Sequence, residues 1–266
     1  MTDERSQLRT TFNQVALLYD QVRPGYPEAL FDDVVSLSAI PPGGKILEIG
    51  CGTGQATVPF ARRGYRILGI ELGENLAKVA QKNLAAYPQV EVRIGAFESY
   101  LVQKSTFDLV VSATAFHWLD PTIAYQKTAE ALSSGGAIAL FWNEHVHSHA
   151  SNGFFELVQE LYRQLVPELV KDEKPLPGES EIRDKSGEIE QTGLFGEVIY
   201  RSYRWDATYD TATYLSLLNT YSGHRNLDNT KRVRFFHAIA ELIDTKFNGQ
   251  ITKGYLSTLY LAHLQT

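Results

Sequence analysis

KILEIGCGTGQA, Lys45 to Ala56, is the stretch that decides how the rest of the chain is read. Lys45 to Ile49 has the composition of a buried strand, and it breaks into Gly50, Gly52 and Gly54 before an amphipathic helical run, Gln55 to Arg63. Glycine admits backbone angles that side chains forbid, and it lets main-chain N–H groups come close to a bound nucleoside. About twenty residues on, the apolar run Arg66 to Ile70 ends in Glu71, placed to accept hydrogen bonds from ribose hydroxyls at the end of a second parallel strand. The spacing here is G-x-G-x-G, whereas a dinucleotide turn needs G-x-G-x-x-G. Glu48, immediately before the turn, would repel a pyrophosphate and can accept from an ammonium group.

Composition narrows the classes further. The 266 residues suffice for one large α/β domain with decorations. There are 25 Lys+Arg against 31 Asp+Glu, a net charge of −6, and no dense basic cluster, which argues against a nucleic-acid partner. The single cysteine, Cys51, excludes an intrachain disulfide and a cysteine-based zinc site and fits a reducing compartment. No apolar run approaches the roughly 20 residues that span a bilayer, so the expectation is a soluble, cytoplasmic protein without a membrane partner.

At ILEIGCGTG, which carries E-x-G-x-G-x-G, the chain resembles the class I S-adenosylmethionine-dependent methyltransferases. Upstream, YDQVRPGYP (19–27) is similar to a signature of their small-molecule branch, the one that includes trans-aconitate methyltransferase-like proteins. The resemblance implies a Rossmann-like α/β sheet of parallel strands closed by an antiparallel hairpin, under a helical cap. It implies cofactor contacts from Tyr19, Glu48, Gly50, Cys51, Gly52, Gly54, Glu71, Leu72, Ala96, Phe97, Ser112 and His117. Many members have an acid where this chain has Phe97, so the adenine amino group is left to Glu98 or to backbone. An N-terminal lid would bring Tyr19, Arg23 or Tyr26 over the methionine end or the acceptor.

Outward from the turn, periodicity places helices over 12–19, 27–35, 75–87 and 121–132, and strands over 90–94, 107–112 and 137–142. Asp120-Pro121 is an N-cap with a first-turn proline. The loop before it, Ser112 to Trp118, lies at a strand's carboxyl end, where His117 can serve as a general base and Trp118 can wall the acceptor pocket. It is not the Asp-Pro-Pro-Tyr loop of DNA amino-group methyltransferases. Asn143 ends the next strand. His145, His147 and His149 alternate, which on extended chain puts three imidazoles on one face, yet no carboxylate or cysteine spacing completes a metal site and none is expected.

From Asn152 the pattern becomes helical: 154–165, a charged loop 171–181, weak helix over 182–191, then a strand, Glu197 to Trp205. Asp210 caps a helix with Tyr214, Leu217, Leu218 and Tyr221 on one face, and Asp228 caps another with Val233, Phe236, Ala240, Ile243 and Phe247 aligned. Ile251 to Leu264 is the last strand. One domain is expected, with a lid over 1–38, a cofactor core over 40–145 and cap insertions over 150–195 and 207–249. In the cap, Arg225 can pair with a carboxylate acceptor, flanked by Tyr221. The expected activity is methyl transfer to a small polar, possibly carboxylate-bearing, metabolite. A non-catalytic binding module on the same fold and an NAD-dependent oxidoreductase are the alternatives.

Overall fold

The computed structural model describes residues 12–170 and 175–265. A 3-10 turn, Phe12–Val15, runs into α1 (Ala16–Val22), and the Pro24-Gly25-Tyr26-Pro27 bend leads to α2 (Glu28–Ser38). Strands and helices then alternate: β1 (Lys45–Ile49), α3 (Thr57–Arg62), β2 (Arg66–Glu71), α4 (Glu74–Asn83), β3 (Val90–Ile94), β4 (Phe107–Ala113), α5 (Pro121–Ala131) and β5 (Leu132–Val146). Next come α6 (Phe154–Leu165), the short α7 (Ser186–Glu190) and β6 (Ile199–Asp210). The helices α8 (Thr211–Leu218), α9 (Ser222–Arg225) and α10 (Asn229–Lys246) separate β6 from β7 (Gln250–His263).

The seven strands form one sheet in the order β3-β2-β1-β4-β5-β7-β6. The first five are mutually parallel, and β7 runs antiparallel to both β5 and β6. Between β1 and β4 the strand order reverses, and in such sheets ligands bind in the crevice outside the carboxyl ends at that point. The central strands are apolar throughout because helices cover both faces. Phe31 of α2 and Phe60 of α3 pack on one face, with Ala77 of α4. Phe116, in the loop after β4, and Tyr125 of α5 pack on the other. A third cluster joins Phe154 and Val158 of α6, Leu217 of α8 and Phe235, Ile239 and Ile243 of α10 to Tyr209 and Tyr255 of the closing hairpin. The helical cap therefore sits on the extended ends of β6 and β7, next to the crevice.

Several boundaries differ from the periodicity reading. The helix after the glycine turn begins only at Thr57, because Gly54, at φ 100°, is still part of the turn and its N–H donates to the Cys51 carbonyl. The run 75–87 leaves helix after Asn83, and Tyr87 precedes Pro88, a position that disfavours helical angles. The strand expected over 197–205 starts at Ile199 and reaches Asp210, paired with β7 along its whole length. Within 182–191 only Ser186–Glu190 is helical. Tyr221 leaves the face of α8, which ends at Leu218, and stands at the N-cap of α9. In α10 the buried stripe is Phe235, Ile239 and Ile243, while Val233 is 61% exposed. The N-terminal residues through Thr11 and part of the charged loop, 171–174, lie outside the described residues. Among the described residues no helix is long and apolar enough to cross a membrane.

The caps do match their sequence signals. Asp120 accepts from the Thr122 N–H, Asp210 from that of Thr213, and Asp228 from those of Thr230 and Lys231. Asp228→Ala is expected to cost about 1 kcal/mol, the usual worth of an N-cap, and to lower the melting temperature by about 2 to 4 °C. Differential scanning calorimetry checks it.

Candidate active site

The crevice has two lobes. Glu71, Leu72, Leu76, Gly95 and Phe97 line the first, opposite His117 and Trp118. Tyr26, Glu48, Asn143, His145, Tyr221 and Lys253 line the second, with Cys51 and Tyr255. Tyr19, Arg23, Gly50, Gly52, Ala113 and Thr114 border both, so the lobes meet over the glycine turn and the carboxyl end of β4.

The turn is held by side chains from both neighbouring strands. Gly50 and Gly52 have φ of 70° and 59°, in the left-handed region that favours glycine. A Cβ on Gly50 would lie 2.5 Å from the Ala115 Cβ, so the turn after β1 and the loop after β4 touch backbone to side chain. The Glu71 carboxylate accepts from the Gly52 N–H at 2.9 Å through Oε2 and from the Gly73 N–H at 2.8 Å through Oε1. Each carboxylate oxygen has a second lone pair with which to accept from a ligand.

Glu48 is the charge anomaly of the site. It is 1% exposed, and neither carboxylate oxygen has a hydrogen-bond partner. Burial pushes its pKa up to about 8, with the nearby Thr57 hydroxyl working against the rise and the Glu71 carboxylate adding to it. An unpaired buried acid is strongly unfavourable unless a cation or donor joins it.

Polar bonds tie the N-terminal segment across the second lobe. Asn143 Nδ2 donates to the Gly25 carbonyl at 2.9 Å while its Oδ1 accepts from Ser257 Oγ at 2.6 Å, which ties the Pro-Gly bend to β5 and β7. The Tyr26 and Thr114 hydroxyls are 2.6 Å apart. Thr114 has φ of 52°, unusual for a β-branched residue, and its N–H donates to the Phe141 carbonyl. Arg23 donates to Thr220 Oγ1 at 2.9 Å and to the Thr220 carbonyl at 3.1 Å, with its guanidinium over the rings of Tyr19 and Tyr221. Trp142 Nε1–H donates to His117 Nδ1 at 3.1 Å, so the neutral imidazole carries its proton on Nε2.

Comparison with known proteins shows what the fold is similar to. Residues 47–140 match a family model described as a methyltransferase domain. Over those residues the chain is similar to methyltransferase domains. An uncharacterised methyltransferase of Mycobacterium tuberculosis is 29% identical over 143 residues, 54% of this chain and 56% of that protein. One of Geobacillus thermodenitrificans is 29% identical over 171 residues, 58% of this chain and 79% of that protein. The chain thus spans about half the length of the mycobacterial relative. Among solved structures, a protein assigned as a type II methyltransferase from Anaeromyxobacter dehalogenans superposes with a TM-score of 0.61 at 21% identity, covering 91% of this chain and 97% of that one. A phosphoethanolamine N-methyltransferase of Haemonchus contortus, solved with phosphomonomethylethanolamine and S-adenosylhomocysteine, gives 0.54 at 15% identity, covering 96% and 58%. The sheet therefore shares the Rossmann-like fold of these structures, and β6 and β7 close it as an antiparallel hairpin.

The structure brings most of the expected residues to one crevice and places others elsewhere. Ser112 is fully buried and spends its hydroxyl on the Ile49 carbonyl, so it faces the strand interior. Gly54 points toward Leu84, and Ala96 borders neither lobe although Gly95 and Phe97 border the first. Arg225 donates to Gln14 Oε1 at 2.9 Å, away from both lobes. The histidine triplet does not share a face: β5 ends at Val146, His145 packs on Phe155, and His147 and His149 face each other beyond the strand. Among the described residues no group of three or more His, Cys, Asp or Glu is arranged to hold a metal. Lys253, His145, Tyr255 and Thr114 were not signalled by motif. The one available sign for Lys253 is that it is the sole Lys, Arg, Asp or Glu between Ile251 and Leu264.

The raised pKa of Glu48 has a consequence for stability. The folded chain keeps a proton on Glu48 up to about pH 8 that the unfolded chain releases near the ordinary 4.5, so this group removes stability as pH rises through that window. Without ligand, Glu48→Gln is expected to melt higher than the unsubstituted protein at pH 8, with the gap closing toward pH 4.5. Thermal melts across the window check the sign.

Proposed function

We propose that this chain binds S-adenosylmethionine with its nucleoside in the first lobe and its amino-acid end over the glycine turn, and transfers the methyl group to a small polar acceptor in the second lobe. The observation that carries the reading is Glu48: a buried carboxylate with both oxygens unpartnered, bordering the lobe beside Gly50 and Gly52. An α-ammonium group supplies the missing cation, whereas a pyrophosphate would meet a second negative charge. Glu71 would accept from the ribose hydroxyls with the lone pairs left by Gly52 and Gly73, and Leu72, Leu76 and Phe97 would enclose the adenine.

When bound, S-adenosylmethionine supplies an electrophilic methyl carbon, and the protein's task is alignment in a dry pocket. The lid performs it through Asn143–Gly25, Tyr26–Thr114 and Arg23–Thr220. His117 is the catalytic candidate from sequence, and its orientation supports a different part. With Nδ1 occupied by Trp142, it presents a donor and an aromatic edge, and it walls the first lobe beside Trp118. An acceptor that enters already deprotonated needs no base, and the second lobe, with Arg23 and Lys253 on its walls, suits a carboxylate. The test is transfer of radiolabelled methyl from S-adenosylmethionine to a panel of small carboxylic acids and phenols. Turnover on acids supports the reading; a panel on which saturating cofactor gives no transfer to any acceptor opposes it.

A further inference from the structure

Lys253 stands out once the second lobe is read as the acceptor's. It is 6% exposed on β7, and its ammonium donates to the Tyr221 hydroxyl at 3.0 Å. Among the described residues it forms no ion pair with a carboxylate, unlike the exposed lysines at 78, 104 and 231. Burying an ammonium against a neutral phenol is unfavourable unless an anion completes the shell. Tyr221 itself reports the excess charge: burial pushes its phenol up, and Lys253 with Arg23 more than offsets that and pulls it below its ordinary value. Arg23 borders both lobes, so it is shared with the cofactor region, whereas Lys253 borders the second lobe alone.

Beside it is a second unpaired group. His145 is directly opposite Tyr255 in the β5–β7 register, which puts it on the sheet face that also carries Lys253, two residues earlier on β7. Its ring is packed edge-on against Phe155 at 4.5 Å, and its buried Nε2 has no hydrogen-bond partner. Burial and the neighbouring Lys253 charge push its pKa down to about 2, so it is a neutral imidazole at every physiological pH. The lobe therefore has one fixed cation and one fixed neutral imidazole on its walls, both on the same hairpin.

We propose that Lys253 and His145 recognise the acceptor at two points, Lys253 taking an anionic group and the His145 imidazole a neighbouring hydroxyl, so that the preferred acceptors are small acids carrying such a group. This rests on the reading of the two lobes given above and assigns the acceptor's contacts to the β5–β7 hairpin, in place of Arg225 in the cap.

Succinate and malate, which differ by one hydroxyl, are the probes. The full chain is saturated with S-adenosylhomocysteine, and protection against thermal unfolding is followed as each acid is added. Malate is expected to act at about a fivefold lower concentration than succinate, the worth of one neutral hydrogen bond. Lys253→Met should weaken both acids by more than about tenfold, and His145→Leu should bring malate down to succinate while sparing succinate. Both variants should bind S-adenosylhomocysteine within about threefold of the parent, since both residues lie on the β5–β7 hairpin whereas the proposed cofactor contacts Glu48 and Glu71 lie on β1 and β2. Equal protection by the acids in parent and Lys253→Met, or no protection of the loaded parent, overturns the proposal. Loss of S-adenosylhomocysteine binding in Lys253→Met also overturns it, because Lys253 would then serve the cofactor. A parent that does not bind S-adenosylhomocysteine sinks the cofactor reading instead, and calorimetry without any acid separates that case.

Discussion

Glu71→Ala is expected to weaken S-adenosylhomocysteine binding by at least about 100-fold, the equivalent of about 3 kcal/mol. Two effects combine in that loss. Hydrogen bonds to an ionised carboxylate are worth about 1.5 to 3 kcal/mol each, and the ribose would lose its acceptor outright. The turn also loses its clamp, because the same carboxylate accepts from the Gly52 and Gly73 N–H groups. Glu71→Gln sharpens the test. A glutamine has one acceptor oxygen where Glu71 uses two, and its amide would point donors at the Gly52 or Gly73 N–H. Gln is therefore expected to be almost as damaging as Ala, whereas at a site where only size mattered it would be nearly silent. Calorimetric titration of both variants measures this, and an Ala variant with parental affinity would remove Glu71 from the cofactor site.

Gly50→Ala is the second large effect. The residue sits at φ 70°, and the added Cβ would come 2.5 Å from the Ala115 Cβ. The left-handed angle costs an alanine about 1 to 2 kcal/mol, and overpacking adds about 1 to 3. At about 2 to 4 °C per kcal/mol for a domain of this size, the melting temperature should fall by about 10 °C. Because the contact is with the loop that carries His117 and Trp118, the first lobe should deform as well. Adding Ala115→Gly is expected to restore the part due to the clash and leave the part due to the backbone angle. If the double variant recovers nothing, the two loops are not in the contact described.

How much of this was legible in the sequence depended on how local each feature is. The glycine turn and the three aspartate caps are encoded within a few residues and took the form their spacing suggests, and Glu71 ends β2 beside the turn. The stripe on α10 was not. Residues Val233, Phe236, Ala240 and Phe235, Ile239 make two adjacent stripes that share Ile243, and periodicity cannot say which one meets the rest of the cap. Tyr162 and His224 decide it by packing on Phe235. Arg225 and Lys253 illustrate the same limit at the site. An arginine in a polar turn looks available, yet in the fold it pairs with Gln14, more than two hundred positions away. A lysine in an apolar strand looks incidental, yet the cap and lid fold over it and make it a wall of the second lobe. Ser112 fails for a related reason: its place at the carboxyl end of β4 is right, but the side chain alternates inward.

The most direct measurement for the cofactor assignment is calorimetric titration of the full chain with S-adenosylhomocysteine and, separately, NADH, repeated with Glu48→Gln. Binding of the first in the micromolar range or tighter and none of the second is expected, with affinity reduced in Glu48→Gln. Affinity in the parent is also expected to rise with pH toward about 8, as the buried carboxylate ionises, and to be flat over that window in the variant. Binding of NADH without S-adenosylhomocysteine, or S-adenosylhomocysteine affinity unchanged by Glu48→Gln at every pH, would contradict the assignment.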